Sequence, residues 1–399
     1  MRYKSINIEN DKDCCGCRAC ENICPQDAIT MEKNQEGFYY PKVNYEKCVD
    51  CGLCSKVCPM ANKIDKNKEK YLDQPKCYAV TTKNEDVLNK STSGGMFYEI
   101  AKYILDNNGI VYGSTMDEDL KVKHIAIEKI EDMPKIMGSK YVNSDLGDCF
   151  KSIREQLNNK QLVLFSGVPC QCAALQKYLL KDYDNLITVE VVCHGTPNQD
   201  VFDKYIKYLE NKEKAKVVDY KFRSKEASRW GTFRGNITYL RNSKEYKKSV
   251  NADFDKYYSS FLNAENYRES CYVCPFANKE RYSDFTLGDF WGIEKIDTDL
   301  KHHNGVSSVI INTNKGINIF NKIECNISNK EVTFNDVSAK NVQLKEPSER
   351  SILRSTWYNN FNKNTFFNDI KIKVTIKKLI KLLIPKSLKQ TIKNLLKRN

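Results

Sequence analysis

Cys14-Cys15-Gly16-Cys17-Arg18-Ala19-Cys20-Glu21-Asn22-Ile23-Cys24-Pro25 holds four cysteines in the spacing C-x2-C-x2-C-x3-C-P, with an extra thiol at Cys15. The spacing returns in Cys48-Val49-Asp50-Cys51-Gly52-Leu53-Cys54-Ser55-Lys56-Val57-Cys58-Pro59. Three cysteines at two-residue intervals wrap three corners of an iron–sulfur cube, and the one before proline reaches the other cube. The spacing therefore predicts one [4Fe-4S] cluster on Cys14, Cys17, Cys20 and Cys58, and a second on Cys48, Cys51, Cys54 and Cys24. Zinc also takes thiolates at C-x2-C spacing, but it needs neither the third close cysteine nor a crossed fourth. Cys15, next to a ligand, reads as a bystander.

On these motifs residues 1–61 resemble bacterial-type two-cluster ferredoxins. That resemblance implies a small ferredoxin-like domain that passes single electrons, wired into the larger body that follows.

The other totals agree with metal-bound cysteines. The chain has 399 residues, enough for two or three domains, and 17 cysteines. A disulfide scaffold would spread its cysteines over a small secreted domain, whereas eight of these, with Cys15 beside them, stand in two tight runs before residue 60. The start, Met1-Arg-Tyr-Lys-Ser-Ile-Asn7, has no apolar stretch of signal-peptide length, and no segment reads as a membrane span. A reducing cytoplasm is the expected compartment. The net charge of +13 is mostly local: residues 371–399 hold ten Lys or Arg and no acid, leaving +3 elsewhere. Each oxidised four-iron cluster with four thiolates adds roughly −2. The body is thus near neutral or slightly acidic, which argues against nucleic acid as a partner.

The expected fold class is α+β. Residues 62–76 read as a charged linker, 77–345 as a mixed α/β body, and 346–399 as a basic amphipathic extension. Strands are predicted at 78–81, 109–112, 162–165, 187–192 and 308–312, and helices at 96–107, 147–158, 171–181 and 199–211. In the tail, Ile372, Ile376, Leu379, Ile380 and Leu383 share a helical face among lysines. Such a helix lies on an anionic membrane surface or docks on protein, so peripheral contact with the inner membrane face is one of two expectations.

Several short runs within the body have the character of turns beside a cofactor. Ser91-Thr-Ser93-Gly94-Gly95 opens a helix with small residues and hydroxyls, which leaves backbone N–H groups for phosphate. Gly138-Ser139-Lys140-Tyr141, Gly167-Val-Pro169-Cys170-Gln171 and Cys193-His194-Gly195 follow. No G-x-G-x-x-G follows a strand and no Walker sequence is present, so neither a Rossmann site nor a P-loop is expected.

Together with Phe222-Arg223-Ser-Lys225, Cys271-x2-Cys274, Ser283-Asp284 and Gly288-Asp289-Phe-Trp291-Gly292, these runs resemble the family of coenzyme F-420 hydrogenase/dehydrogenase beta subunits. The resemblance implies an FAD-dependent iron–sulfur oxidoreductase body; relatives reduce a deazaflavin coenzyme or a tetrapyrrole substituent, or sit in polysaccharide pathways. A flavin suits the chain, because it converts the single electrons of clusters into the pairs that organic substrates take. Ser93, Gly94, Gly95, Gly138, Ser139, Gly288 and Asp289 become candidate FAD contacts. Lys140 is a candidate for the pyrophosphate or the reduced flavin, or a plain surface lysine. His194 is a candidate proton donor or a structural histidine. Arg223 and Lys225 suit an acidic substrate or cofactor phosphate, or are ordinary strand-edge charges.

Cys271 and Cys274 need partners, and Cys170 and Cys193, at strand ends, complete a set of four for a third [4Fe-4S] cluster. Cys172 or Asp289 could replace one of them, and zinc or a reactive dithiol are alternatives. The main expectation is an enzyme: ferredoxin or another low-potential donor feeds the clusters, then FAD, then a small or lipid-linked organic acceptor, with coenzyme F-420 as one candidate. The alternative is a non-catalytic electron-transfer beta subunit of a hydrogenase or dehydrogenase complex.

Overall fold

The computed structural model describes residues 4–62, 70–226, 230–297, 299–300, 303–363, 365–370 and 372. The basic tail beyond 372 lies outside the described residues. Among the described residues no helix is long and apolar enough to cross a membrane.

Two short strands, β1 (Ile29–Lys33) and β2 (Tyr39–Val43), pair antiparallel and join the two cysteine runs. The two runs also share backbone conformation. Gly16 and Asp50 are left-handed at φ +70° and +51°, and Arg18 and Gly52 at +60° and +74°. Each loop thus turns left-handed at the same two places, with glycine taking a different one of them in each copy.

The body contains β3 (Tyr71–Thr82), β4 (Ile110–Met116), β5 (Val122–Ile127), β6 (Val163–Gly167) and β7 (Leu186–Val191). After these come β8 (Lys216–Lys221), β9 (Arg234–Arg241), β10 (Lys244–Asn251), β11 (Phe285–Asp289), β12 (Ser307–Thr313) and β13 (Ile327–Val332). Eight of them form one mixed sheet in the order β13-β3-β12-β11-β7-β6-β4-β5. Its centre, β11-β7-β6-β4, is parallel, and the outer pairs are antiparallel. Parallel neighbours need crossovers, supplied here by helices Cys149–Asn158 and Pro169–Leu179. As a result the carboxyl ends of β6, β7 and β11 lie side by side at one edge, where open α/β sheets place ligands.

The predicted helices fall within two residues of Met96–Asp106, Cys149–Asn158, Pro169–Leu179 and Gln199–Glu213. Pro169 opens its helix because the first helical N–H has no intrahelical partner anyway. The boundaries differ more. β3 begins at Tyr71, inside the expected linker, because it is buried between β12 and β13. Residues 354–363 and 365–367, expected in the tail extension, belong to the body. Trp357, Tyr358, Phe361, Phe366 and Phe367 are buried against Phe202, Tyr205 and Tyr257. The antiparallel sheet β10-β9-β8 has no counterpart among the expected strands, since residues 244–251, Lys-Glu-Tyr-Lys-Lys-Ser-Val-Asn, show little apolar alternation.

The cysteine module is continuous with the body. Ile6, Ala19, Ile23, Ile29 and Val57 share an apolar cluster with Phe150, Phe165 and Tyr178. Three arginines tie the same interface. Arg18 reaches both carboxylate oxygens of Asp145 at 2.5 and 2.9 Å. Arg354 donates to both oxygens of Glu36 at 2.8 and 2.6 Å. Arg268 donates to the carbonyls of Cys14 and Tyr39 at 2.6 and 2.8 Å. Bidentate charge-assisted bonds hold both distance and angle, so the module has one seat on the body.

Candidate functional site

All seventeen cysteines are free thiols. Cys24, Cys48, Cys51 and Cys54 line one recess together with Ser5, Ala28 and Gly52. Cys24 therefore faces the second cysteine run across from its own. Cys14, Cys20 and Cys58 crowd one another, and burial pushes the Cys14 thiol up to about 11. Backbone N–H groups already point at the sulfurs. Gly16 donates to Cys14 Sγ and Ala28 to Cys24 Sγ, each at 3.3 Å, and Ile6 to Cys54 Sγ at 3.2 Å. Thiolates, rather than thiols, exploit such donors, and metal ligation requires the thiolate. The donor sets therefore fit two four-iron clusters.

The third set stands where the sheet topology sends it. Cys170 follows β6, Cys193 follows β7, and Cys271 and Cys274 belong to the short helical turn Glu269–Val273 and its end. Repulsion from Cys274 raises the thiols of Cys193 and Cys271, Cys193 also raises Cys271, and Cys170 feels both Cys274 and Cys193. Burial, the larger cause, pushes Cys193 up to about 12. Cys172, two residues on from Cys170, points elsewhere: fully buried, it faces the Val189 carbonyl, 3.7 Å from its sulfur. Asp289 is occupied by Arg223 and Trp230, so neither alternative joins this set. Gly195 holds φ +135°, and a Cβ there would run into the Tyr267 ring. Only glycine lets the Cys193 loop pass this close to the Cys271 segment. Among the described residues no three Cys, His, Asp or Glu side chains converge on a single metal ion. Each thiolate of a cube binds its own iron, so a cluster set stands wider than that.

Cys15 lies close to both Cys17 and Cys170, between the module and the body.

The remaining candidates converge beside the third set. His194 follows Cys193 and senses Asp289, while burial depresses its pKa. Asp289 pairs with Arg223 and accepts from Trp230 Nε1 at 2.9 Å. Trp230 and Trp291 stack with ring centroids 5.0 Å apart, and the Arg223 guanidinium lies 5.5 Å from the Trp291 ring. Lys225 donates to the carbonyls of Leu88 and Ser93 at 2.6 and 2.9 Å. Tyr141 packs against Phe222, and Ser139 Oγ lies 3.3 Å from Thr92 Oγ1. Residues more than a hundred positions apart thus surround one polar, aromatic region.

Not every candidate is open to a ligand. The Ser93 hydroxyl donates to the Val306 carbonyl at 2.8 Å, and the Gly94 N–H to Ser307 Oγ at 3.0 Å. A Cβ on Gly94 would collide with β3 and β12, and one on Gly288 would meet Ser308 and Val192. Both glycines serve close packing of the sheet, so the phosphate cradle expected at Gly94 is not there. Gly95 caps helix Met96–Asp106 in the left-handed region, and Gly138 at φ +83° faces open space. Gly138, Ser139 and Thr92 therefore form the part of this edge that a phosphate could approach. Lys140 turns inward to the carbonyls of Ser114 and Met137 at 2.7 and 2.8 Å, and burial lowers its pKa to about 7. It is not a surface lysine.

His124 had no sequence signal, being a lone histidine within a strand. Its Nε2 donates to the Ser166 carbonyl at 3.0 Å, which leaves Nδ1 to accept from Ser144 Oγ at 2.7 Å. Burial lowers its pKa to about 4. The unfolded chain, with an ordinary histidine near 6.5, binds more protons between these values. Stability is therefore expected to fall as pH drops from about 6.5 toward 4. Urea midpoints at pH 7 and pH 5 check this: His124→Asn should narrow the difference between them.

Comparison with known proteins adds to this geometry. Residues 160–340 match the family model for the C-terminal part of coenzyme F420 hydrogenase/dehydrogenase beta subunits, and residues 13–62 match the 4Fe-4S dicluster domain. The chain is 25% identical over 219 residues to the F subunit of the F(420)H(2) dehydrogenase of Methanosarcina mazei, covering 52% of this chain and 60% of that protein. It is 27% identical over 202 residues to the coenzyme F420-dependent sulfite reductase of Methanocaldococcus jannaschii, covering 49% of this chain and 30% of that one. The matches thus span less than two thirds of either relative. A chain of the F420-reducing [NiFe] hydrogenase complex from Methanosarcina barkeri overlays with a TM-score of 0.44 at 16% identity, covering 70% of this chain and 92% of that one. Residues 160–340 thus carry the domain that marks the C-terminal part of coenzyme F420 hydrogenase/dehydrogenase beta subunits, behind a 4Fe-4S dicluster domain.

Proposed function

We propose that this chain is the electron-transfer subunit of an oxidoreductase complex, with a two-cluster module feeding a third [4Fe-4S] site on Cys170, Cys193, Cys271 and Cys274. The observation that carries the reading is the seam between the Cys14 loop and the Cys271 turn: Arg268 donates to the Cys14 carbonyl at 2.6 Å, and its own carbonyl accepts from the Cys271 N–H at 2.9 Å. The clusters, when bound, supply one-electron transfer at low potential. The chain's own residues do the rest. Arg18, Arg354 and the shared apolar cluster keep the module seated, and Cys15 lies between the two thiol sets. The relatives named for F420H2 dehydrogenase and F420-dependent sulfite reductase support a redox partner protein, and F-420 is the corresponding candidate for a coenzyme.

A second reading is favoured by the convergence of Arg223, Asp289, His194, Lys225 and the Trp230–Trp291 pair. It makes the chain an enzyme with FAD beside that region and an organic two-electron acceptor, a lipid-linked sugar of polysaccharide synthesis being one class. Gly138, Ser139 and Thr92 would take the phosphates. A bound flavin supplies the exchange between single electrons and pairs. Arg223 and Lys225 would hold an acidic group, and His194, next to Cys193, would deliver a proton.

One experiment separates the readings. The tagged chain, expressed anaerobically in its own host, is isolated with its partners. Stoichiometric recovery of a second redox subunit, with no turnover by the chain alone, is the expected result. Steady reduction of a small organic acceptor by the isolated, flavin-containing chain would overturn the subunit reading in favour of the enzyme.

A further inference from the structure

Arg268 is 1% exposed, as is Arg354, and Arg281 is 3% exposed. Arg281 pairs with Glu190, and Arg354 with Glu36 and Glu269. Among the described residues Arg268 forms no ion pair with a carboxylate, and its Nη1 has no hydrogen-bond partner. Leaving a guanidinium buried and uncompensated costs several kcal/mol, so such charges are paired.

The surroundings of Arg268 identify the missing partner. Its Nε and Nη2 are used on the carbonyls of Cys14 and Tyr39, and its guanidinium carbon lies 4.1 Å from the centroid of the Tyr40 ring. Nη1 lies against the first cysteine loop, where a Cβ on Gly16 would come within 2.9 Å of it. The titratable side chains that face it are Cys14, Tyr40, Cys15 and Cys271, with no carboxylate among them. A cation aimed at a thiolate loop, without a carboxylate, has the negative cluster itself as its counter-ion.

We propose that Arg268 is a positioning residue that raises the reduction potential of the module cluster on Cys14, Cys17, Cys20 and Cys58. Reduction adds one negative charge to that cluster, and a buried guanidinium stabilises the more negative state. The second cluster, on Cys24, Cys48, Cys51 and Cys54, lies across the module and has no comparable buried cation among the described residues. Arg268 therefore separates the two potentials and makes the cluster nearer the body the better electron acceptor of the two. The inference does not require a third cluster, and in Cys271→Ala protein, where that set is lost, the same module midpoint should still respond to Arg268.

The test is an EPR-monitored redox titration of the full anaerobic chain, with iron counted on the same samples. Arg268→Gln is expected to keep the module irons and to lower one midpoint by about tenfold in the reduction equilibrium, about 59 mV for one electron. The other module midpoint should stay unchanged. Arg268→Lys, which keeps the charge, is expected to restore most of the shift. Unchanged midpoints in an iron-replete Arg268→Gln protein would overturn the proposal. If the glutamine variant fails to load iron, Arg268→Lys decides: a full tenfold drop with the charge retained would equally overturn it. An iron count near eight rather than twelve would speak against the third cluster while leaving this comparison intact.

Discussion

Replacing Cys271 with alanine is expected to remove about four of about twelve irons per chain while leaving the module pair in place. Cys271 stands with Cys193 and Cys274, apart from the recess lined by Cys24, Cys48, Cys51 and Cys54. The two sets meet near Cys15 but share no ligand, so loss of one does not strip ligands from the other. Iron and sulfide counts on anaerobically purified protein check this, and the visible and EPR signals of the module should persist. A wild-type protein with only about eight irons would refute the third site directly. A variant that loses all its iron would show instead that the thiol sets fold as one unit.

Arg354→Ala is expected to cost about 3 kcal/mol or more of stability, the scale for removing one partner from a buried ion pair. Arg354 is 2% exposed at its side chain and reaches Glu36 at 2.6 Å and Glu269 at 2.7 Å. Its Nε also donates to the Tyr267 carbonyl at 3.0 Å, and the guanidinium packs 4.5 Å from the Tyr358 ring. The substitution leaves two carboxylates facing each other, although Arg350 still holds Glu269 at 2.8 Å. Glu36 belongs to the module and Glu269 begins the turn that carries Cys271, so the same change should loosen the module from the body. Urea unfolding measures the first effect. Faster limited proteolysis that separates the module from the body measures the second. Arg354→Lys should recover only part of the loss, because an ammonium cannot make the paired contacts to Glu36.

The sequence carried the module almost entirely. Ligand spacing is a local property: C-x2-C-x2-C fits three corners of a cube whatever surrounds it, and the proline marks the crossing fourth ligand. Helices with a clear apolar period, such as Met96–Asp106, were legible for the same reason. The sequence alone also supported a third set that includes Cys271 and Cys274, but only through the shortage of other nearby partners.

What only the tertiary structure decided concerns long-range pairing. The order β11-β7-β6 brings Asp289, Cys193 and Cys170 to one edge, and no periodicity in the chain announces that order. The choice of Cys170 over Cys172 came from which side of a helix faces the edge. The two glycines Gly94 and Gly288 looked like cofactor turns, yet strand contacts fill the space beside them. Cys15 and Arg268 acquired meaning only when residues over 150 positions apart were placed in contact. Ligand spacing is set by a few bonds along the chain, so sequence determined it. The site between module and body is set by how separate elements pack, and that the sequence by itself does not display.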